Sequence, residues 1–157
     1  MYYEARTRPS PQNTHDPLYK SWFFRKIIGG LPLKSRSRNK ALFRRALARL
    51  RHEHHSLDTP FALVWSIHKI RPLFWIRTVK KGKREYKIPF KLTPRGQYRR
   101  ALYWVVKSFR GRTEPRLETR LFLELKDLLD GKSKVFSWRD TLYNEVGRNR
   151  HNANFRW

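Results

Sequence analysis

The side chains of this 157-residue sequence whose type and spacing could perform chemistry are basic ones. The segment Lys80-Lys81-Gly82-Lys83-Arg84 places four cations around a glycine, and glycine permits a tight turn. Cations on a projecting turn can contact the phosphates of nucleic acid. An ordinary solvated turn is the alternative interpretation. We favour phosphate contact because the residues on both sides of the turn repeat the positive charge.

A second basic segment, residues 34–40, leads into an arginine-rich stretch. Its cations are Lys34, Arg36, Arg38 and Lys40. Neutral side chains between them could add hydrogen bonds to phosphate or sugar, namely Ser35, Ser37 and Asn39. A helix face exposed to solvent is the alternative.

Composition points to an anionic partner. Lys and Arg number 37 against 12 acids, a formal charge of +25. Like charges oppose compaction, and a bound polyanion removes that repulsion. Nucleic acid fits better than a membrane surface, because the sequence shows no long amphipathic helix with a wide apolar face. It also has no apolar run near the roughly 20 residues of a membrane span.

Other chemistries lack the residues that they need. The sequence has no cysteine, so it forms neither disulfides nor cysteine-based zinc sites. His52, His54 and His55 surround Glu53 without the spacing of a zinc protease motif. We find no P-loop, dinucleotide fingerprint or nucleophile elbow. We therefore expect no catalysis, no cofactor, no metal and no small-molecule substrate.

Apolar residues at helical spacing predict six helices. The first begins at Asp16-Pro17, and the third is capped by Asp58 or Thr59. The last is predicted to have Ser137 as its cap, with Asp140 three residues later as in a capping box. Between the third and fourth helices, residues 73–92 change to the alternation of a β-hairpin, and Pro89 favours an exposed edge there.

The predicted fold is mainly α, a six-helix, bundle-like domain with one protruding hairpin. An extended arm covers residues 1–15, the RNA-binding domain covers 16–147 with its hairpin at 73–92, and a basic tail covers 148–157. We expect Trp22, Trp65 and Trp104 to pack in the core. Trp157 ends a polar tail, and we expect it to contact RNA or a neighbouring protein.

Charge is distributed unevenly along the chain. Seven of the twelve acids lie between Glu114 and Glu145, and the hairpin region holds mostly cations. The acidic helices should therefore face solvent or protein, while the basic elements face RNA. The residues that we expect to bind RNA are Lys34, Arg36, Arg38, Lys40, Arg44, Arg71, Arg77, Lys80, Lys81, Lys83, Arg84, Lys87, Lys91, Arg95, Arg99, Arg100, Arg110, Arg112, Arg148, Arg150, Arg156 and Trp157.

Several motifs, taken in order, resemble the S-seven family of small-subunit ribosomal proteins. Ile70-Arg71-Pro72 resembles its Val-Arg-Pro before the hairpin, and Tyr86-Lys87-Ile88-Pro89 its Tyr-Gln-Val-Pro within it. The segment 101–106 resembles its Ala-Leu-x-x-Arg-Trp-Ile-Val helix, and 149–157 its Asn-Lys-x-x-Ala-His-Phe/Tyr-Arg-Trp terminus. Departures are Lys83 in place of a second hairpin glycine and residues 33–38 in place of a Gly-Lys-Lys-Ser loop.

The resemblance implies a structural protein that binds small-subunit ribosomal RNA in the head and supports head assembly. Its partners would include neighbouring head proteins, with messenger RNA and exit-site transfer RNA near the hairpin. Divergence and many aromatic residues favour a mitochondrial ribosome, with a plastid or bacterial cytoplasm as alternatives. A stand-alone basic RNA or DNA chaperone is the competing function. A nuclease or RNA-modifying enzyme is a third, but the sequence lacks the paired acids or metal ligands that it would need.

Overall fold

The protein is represented by a computed structural model that describes residues 21–53 and 58–155. The predicted arm, the predicted helix start at Asp16-Pro17, and the terminal Arg156 and Trp157 lie outside the described residues. The side chain of Lys81 is also outside the description.

The described residues form six α-helices, one two-stranded hairpin and a short 3-10 helix, so the predicted fold class is confirmed. Helices α1 (Trp22–Gly30), α2 (Arg36–Glu53) and α3 (Thr59–Ile70) precede strands β1 (Phe74–Lys81) and β2 (Arg84–Lys91). Helices α4 (Pro94–Arg110), α5 (Leu117–Leu129) and α6 (Lys134–Arg148) follow, and the 3-10 helix spans Arg150–Phe155. Within the described part of the chain, no helix combines the length and apolar character needed to cross a membrane.

One hydrophobic core joins the six helices. Apolar residues spaced three or four apart give each helix a single buried face. Full burial of each large side chain contributes roughly 1.5–3 kcal/mol. The largest contributors are Ile27 and Ile28 of α1, Phe43 and Leu50 of α2, Leu63, Ile67 and Ile70 of α3, Phe109 of α4, and Leu121, Leu125 and Leu128 of α5.

The hairpin has a two-residue turn whose conformation depends on Gly82. Lys81 pairs with Arg84, and Lys80 pairs with Glu85 on the neighbouring rung. Gly82 occupies the first turn position with a φ of +59°, a left-handed backbone conformation that glycine adopts without a steric penalty. Lys83 has a negative φ, so a second glycine is not needed at this position. Pro89 lies on an edge strand, as expected, because the sheet has two strands. The expected exposure is wrong, since Pro89 is buried.

The predicted start of the last helix was wrong by one turn. Ser133, not Ser137, is the N-cap, and its side-chain oxygen accepts a hydrogen bond from the backbone of Val135 at 3.3 Å. Ser137 lies inside the helix, where its hydroxyl donates to the Lys134 carbonyl at 3.0 Å. Burial of Val135 decides between the two serines, because the apolar face begins before Ser137.

The placement of Trp65 in the core was also wrong. Trp104 is buried and Trp22 packs partly against the core, but Trp65 is 54% exposed. Leu63 and Ile67 take the inward face of α3, and Trp65 lies on the opposite face. Its indole stacks on the His68 ring, with 5.6 Å between centroids and an interplanar angle of 3°.

The adjacent glycines at the end of α1 should respond oppositely to alanine. A Cβ on Gly30 would lie 2.7 Å from a methyl group of Val106 in α4, and valine is stiff about its side chain. Gly30→Ala should therefore destabilise the protein by about 1–3 kcal/mol. A Cβ on Gly29 meets nothing within 4 Å, so Gly29→Ala should be neutral or slightly stabilising. Urea unfolding of both variants tests this, and equal losses would contradict the close α1–α4 approach.

Candidate RNA interface

The hairpin tip presents cations that are available to an anionic partner. Lys80, Lys83 and Arg84 are exposed around the Gly82 turn. Lys80 Nζ lies 3.0 Å from Glu85 Oε1, but these side chains are 77% and 55% exposed. An exposed pair of this kind contributes at most about 1 kcal/mol, so phosphate can replace the carboxylate.

The base of the hairpin is attached to α4 through aromatic rings. Trp75 of β1 lies 6.3 Å from Trp104 of α4, measured between ring centroids. The guanidinium of Arg100 stands 3.8 Å from the centroid of the Trp75 ring. This distance is characteristic of a cation–π contact, which adds direction to the apolar packing. Arg100, predicted as an RNA ligand, therefore also holds the hairpin on the body.

The outer half of β2 is attached to the C-terminal elements. Lys87 Nζ pairs with Glu145 of α6 at 2.6 Å, and Asn152 donates its side-chain amide to the Lys87 carbonyl at 3.1 Å. The rings of Tyr86 and Phe155 lie 5.1 Å apart. Only the tip beyond Tyr86, residues 80–85, therefore extends past these attachments.

The basic loop before α2 is organised by the buried side chain of Asn39. Its amide nitrogen donates to the carbonyls of Leu31 at 3.3 Å and Leu33 at 3.0 Å, and its oxygen accepts from the Leu33 backbone at 3.2 Å. Asn39 is 4% exposed, so the expected hydrogen bond to phosphate or sugar is wrong for this residue. The exposed cations around this loop and the start of α2 are Lys34, Arg36, Arg38 and Lys40, with Arg44 one turn later.

The side of α4 next to α1 carries a row of exposed basic and aromatic groups. Arg95, Arg99 and Tyr103 recur every four residues and so share a face. A cavity of about 370 Å³ lies there, lined by Lys26, Gly30, Arg99, Leu102, Tyr103, Val106 and Arg110. Arg110 donates to the Gly30 carbonyl at 2.7 Å, where a cation also offsets the negative end of α1.

Two exposed cations of α1 were missed from the sequence. Arg25 and Lys26 are exposed, unlike the buried Phe24, Ile27 and Ile28. Lys26 shares a cavity with the α4 row, whereas Arg25 lines a neighbouring cavity with Arg36. The helical spacing of those apolar residues carried the signal, because it directs both intervening cations outward.

Arg112 is committed to an internal ion-pair network rather than to the surface. Its Nε contacts Glu124 at 2.7 Å, a terminal nitrogen contacts Glu114 at 3.2 Å, and the other contacts Asp127. Glu124 is 1% exposed and also accepts from Ser133 Oγ at 2.7 Å. Glu124 therefore faces the interior of the fold and not solvent. The network ties the α4–α5 loop to α5 and to the cap of α6.

The network shifts the pKa values of Arg112 and Glu114. Burial lowers the pKa of Arg112, but the hydrogen bonds that it donates to Glu124 and Asp127 outweigh burial and raise that pKa above its ordinary value. A hydrogen bond from its own backbone lowers the pKa of Glu114, with Arg112 acting in the same direction. Because the pKa of Glu114 is lower in the folded state, its ionised carboxylate stabilises the fold at neutral pH. This stabilisation is lost as the pH falls through the folded-state pKa.

The remaining residues expected to bind RNA fall into two groups, those that contact an aromatic ring and those that are exposed. Two rest on rings: Arg71 over Tyr98 at 5.3 Å and Arg77 over Phe90 at 4.4 Å. Lys91, Arg148 and Arg150 are exposed. The described residues contain no group of three or more acidic or histidine side chains suited to hold a metal.

Together these features describe a strongly basic, mainly helical protein with a charged hairpin between its third and fourth helices. The model of the family "Ribosomal protein S7p/S5e" matches residues 3–150, and the chain belongs to this family. It is a family of ribosomal proteins and not a class of enzymes.

Curated relatives carry the name small ribosomal subunit protein uS7. The protein of Dictyoglomus thermophilum is 25% identical over 142 residues, 90% of this chain and 91% of the relative. That of Brachyspira hyodysenteriae is 28% identical over 143 residues, again 90% and 91%. That of Sulfurimonas denitrificans is 26% identical over 155 residues, covering 97% of this chain and 98% of the relative. The family predicted from the motifs is therefore confirmed.

Loss of Arg112 should destabilise the fold strongly. Arg112→Ala would leave Glu124 buried without its cation, a change that costs about 3–5 kcal/mol. Arg116→Ala is the matched control, because Arg116 is an exposed arginine in the same loop. The control should change the free energy of unfolding by less than about 0.5 kcal/mol. Similar unfolding midpoints for the two variants would show that the network contributes little.

Proposed function

We propose that this ribosomal protein is a structural component of the small subunit that binds the subunit's RNA in the head and supports head assembly. The hairpin tip would lie near messenger RNA and exit-site transfer RNA. The place in the head and the neighbours of the hairpin follow from the family resemblance. The charge distribution of the fold supports the RNA contact itself.

The observation that carries the proposal is that the fold places acidic and basic side chains differently. Eight carboxylates of the described residues form ion pairs within the chain: Glu53, Glu85, Glu114, Glu118, Glu124, Asp127, Asp140 and Glu145. The basic groups at the hairpin tip, at the start of α2 and along α4 are exposed. The fold thus places its excess positive charge where a polyanion can reach it.

The proposed RNA surface combines the start of α2, the α1–α4 face and the hairpin. We leave Arg112 out of it, because three carboxylates already surround that guanidinium. Arg71, Arg77 and Arg100 remain in it, since a guanidinium stacked on a ring still has N–H groups to donate to phosphate. Arg156 and Trp157 remain candidates from the sequence.

We further propose that the ribosome concerned is mitochondrial. Identities of 24–28% to the bacterial relatives support this, as does an aromatic content of 15%. Sedimentation of native extracts separates the functions. A subunit component travels with small subunits from purified mitochondria, whereas a stand-alone chaperone stays near the top of the gradient. Co-sedimentation with cytosolic ribosomes alone would overturn the mitochondrial assignment.

Binding to small-subunit RNA should weaken steeply with salt, because each neutralised phosphate releases counterions. Replacing Arg36, Arg38 and Lys40 together by glutamine should reduce the slope of log affinity against log salt by roughly 2–3 units. The matched control replaces Arg116, Lys132 and Lys134, and so removes the same amount of positive charge. These three residues lie in or near the acidic network. Fluorescence anisotropy at several salt concentrations measures both slopes. Equal reductions would show that RNA attraction depends on net charge and not on this surface.

The hairpin tip should act in translation more than in anchoring. Deleting residues 81–84 removes three of the four cations beyond the attachments of Tyr86 and Lys87 and spares the core. Subunits should therefore still incorporate the protein, while exit-site transfer RNA binds less tightly or reading-frame errors increase. A subunit assembly profile and a fidelity assay on the same strain provide the measurement. Loss of the protein from subunits, without a fidelity defect in those that form, would show that the tip is an anchor.

A further inference from the structure

Three aromatic rings and a proline line an open cavity between α1 and the first turn of α4. The cavity has a volume of about 420 Å³, and its lining is Trp22, Phe23, Pro94, Arg95 and Tyr98. Trp22, Phe23 and Tyr98 are partly exposed, and Pro94 and Arg95 are exposed. The cavity is therefore an aromatic site with one cation at its margin.

The rings are held in place by one another. Trp22 packs against Phe23 with 5.4 Å between centroids and an angle of 77°, and Phe23 packs against Tyr98 at 5.0 Å and 76°. The Tyr98 hydroxyl lies 3.0 Å from His68 Nδ1 and accepts from Arg71 at 3.3 Å. Rings fixed in this way lose little conformational freedom on binding a ligand, which favours affinity.

The surroundings of the cavity are basic. A second cavity shares Trp22 and is lined by Arg25, Lys26 and Arg36 as well as by two glycines. Arg99, one turn after Arg95, lies on the same side of α4. An occupant must therefore combine a flat apolar surface with negative charge close by. A nucleotide of RNA has both, since its base has a π face and its phosphate an anionic group.

We propose that this cavity binds an unstacked nucleobase of the RNA, with the base stacked on the aromatic walls and Arg95 donating to the adjoining phosphate. The inference rests on the proposed function and adds the class of group recognised. It assigns a task to Trp22 and Tyr98 that core packing alone does not require, because both rings keep exposed surface. Arg71 and His68 hold the Tyr98 hydroxyl, while Tyr98 also lines the cavity.

The test compares two polyanions, only one of which has bases. The full-length chain is titrated with a single-stranded RNA oligonucleotide containing 2-aminopurine and with inorganic polyphosphate, at several salt concentrations. Trp22→Leu keeps an apolar side chain but removes the π face. It should weaken RNA binding roughly 5- to 100-fold, the range for one stacked base, without changing the salt slope. Polyphosphate binding should remain unchanged, and Trp22→Phe should restore most of the RNA affinity.

Arg95→Gln should instead reduce the salt slope for both polymers, because it removes a phosphate contact and no ring. Trp138→Leu is the control, since Trp138 is a partly buried tryptophan that lines the cavity of the acidic network. It should bind both polymers as the unmodified chain does. Thermal unfolding of each variant identifies any loss of binding that comes from loss of fold.

Three outcomes would overturn the inference. The Trp22→Leu variant could bind RNA as tightly as the unmodified chain does. This would show that the protein binds RNA without holding a base in the cavity. The variant could bind RNA normally yet lose a protein neighbour in assembled subunits, which would make the occupant a protein side chain. It could weaken both polymers equally while folded, which would make the effect electrostatic. Absence of RNA binding by the unmodified chain would instead overturn the proposed function itself.

Discussion

Electrostatic repulsion among 37 basic side chains is the constraint that the rest of the structure must satisfy with only 12 acids. The fold concentrates several of those acids in one place, around the guanidinium of Arg112. Glu124 is the central member, since it is buried and accepts from both Arg112 and the α6 cap residue Ser133. This network joins α5 to the cap of α6 without leaving an unpaired buried charge. The described cations at the hairpin tip and at the start of α2 lie on the surface, where repulsion is screened by solvent and relieved by a polyanion.

Aromatic rings take the place of acids in much of this protein. Arg100 rests on Trp75, Arg71 on Tyr98 and Arg77 on Phe90. Each contact covers the apolar stem of an arginine and attracts its charge to the ring face, yet it neutralises nothing. A carboxylate in the same position would hold the arginine but reduce the attraction for phosphate. The high aromatic content therefore fits a protein that must build tertiary contacts from cations and still present positive charge.

The sequence was sufficient for features that depend on local periodicity and insufficient for those that depend on tertiary neighbours. Alternation and a glycine located the hairpin, because strand spacing and turn geometry are local. The cap of α6 was misplaced because Ser133 and Ser137 look alike until Val135 is known to be buried. Trp65 was assigned to the core by its apolar context, but Leu63 and Ile67 occupy the inward face. Asn39 and Arg112 resembled surface ligands, and only their partners 6–15 residues away reveal their structural roles.

The C-terminal segment shows how a terminal motif can be required by packing far from the chain end. Asn149 is the C-cap of α6, and its side-chain amide donates to the Glu145 carbonyl at 2.8 Å. Glu145 holds Lys87 of β2, and Asn152 bonds to the Lys87 carbonyl. Phe155 then reaches Tyr86 on the same strand. These contacts attach β2 to the C-terminal elements. Together with the contact of Trp75 with α4, they hold the hairpin at two separate places along its length. A two-stranded ribbon alone is marginally stable in water, so its direction from the body must come from such supports. The same residues that define the terminal motif therefore determine where the charged tip can reach.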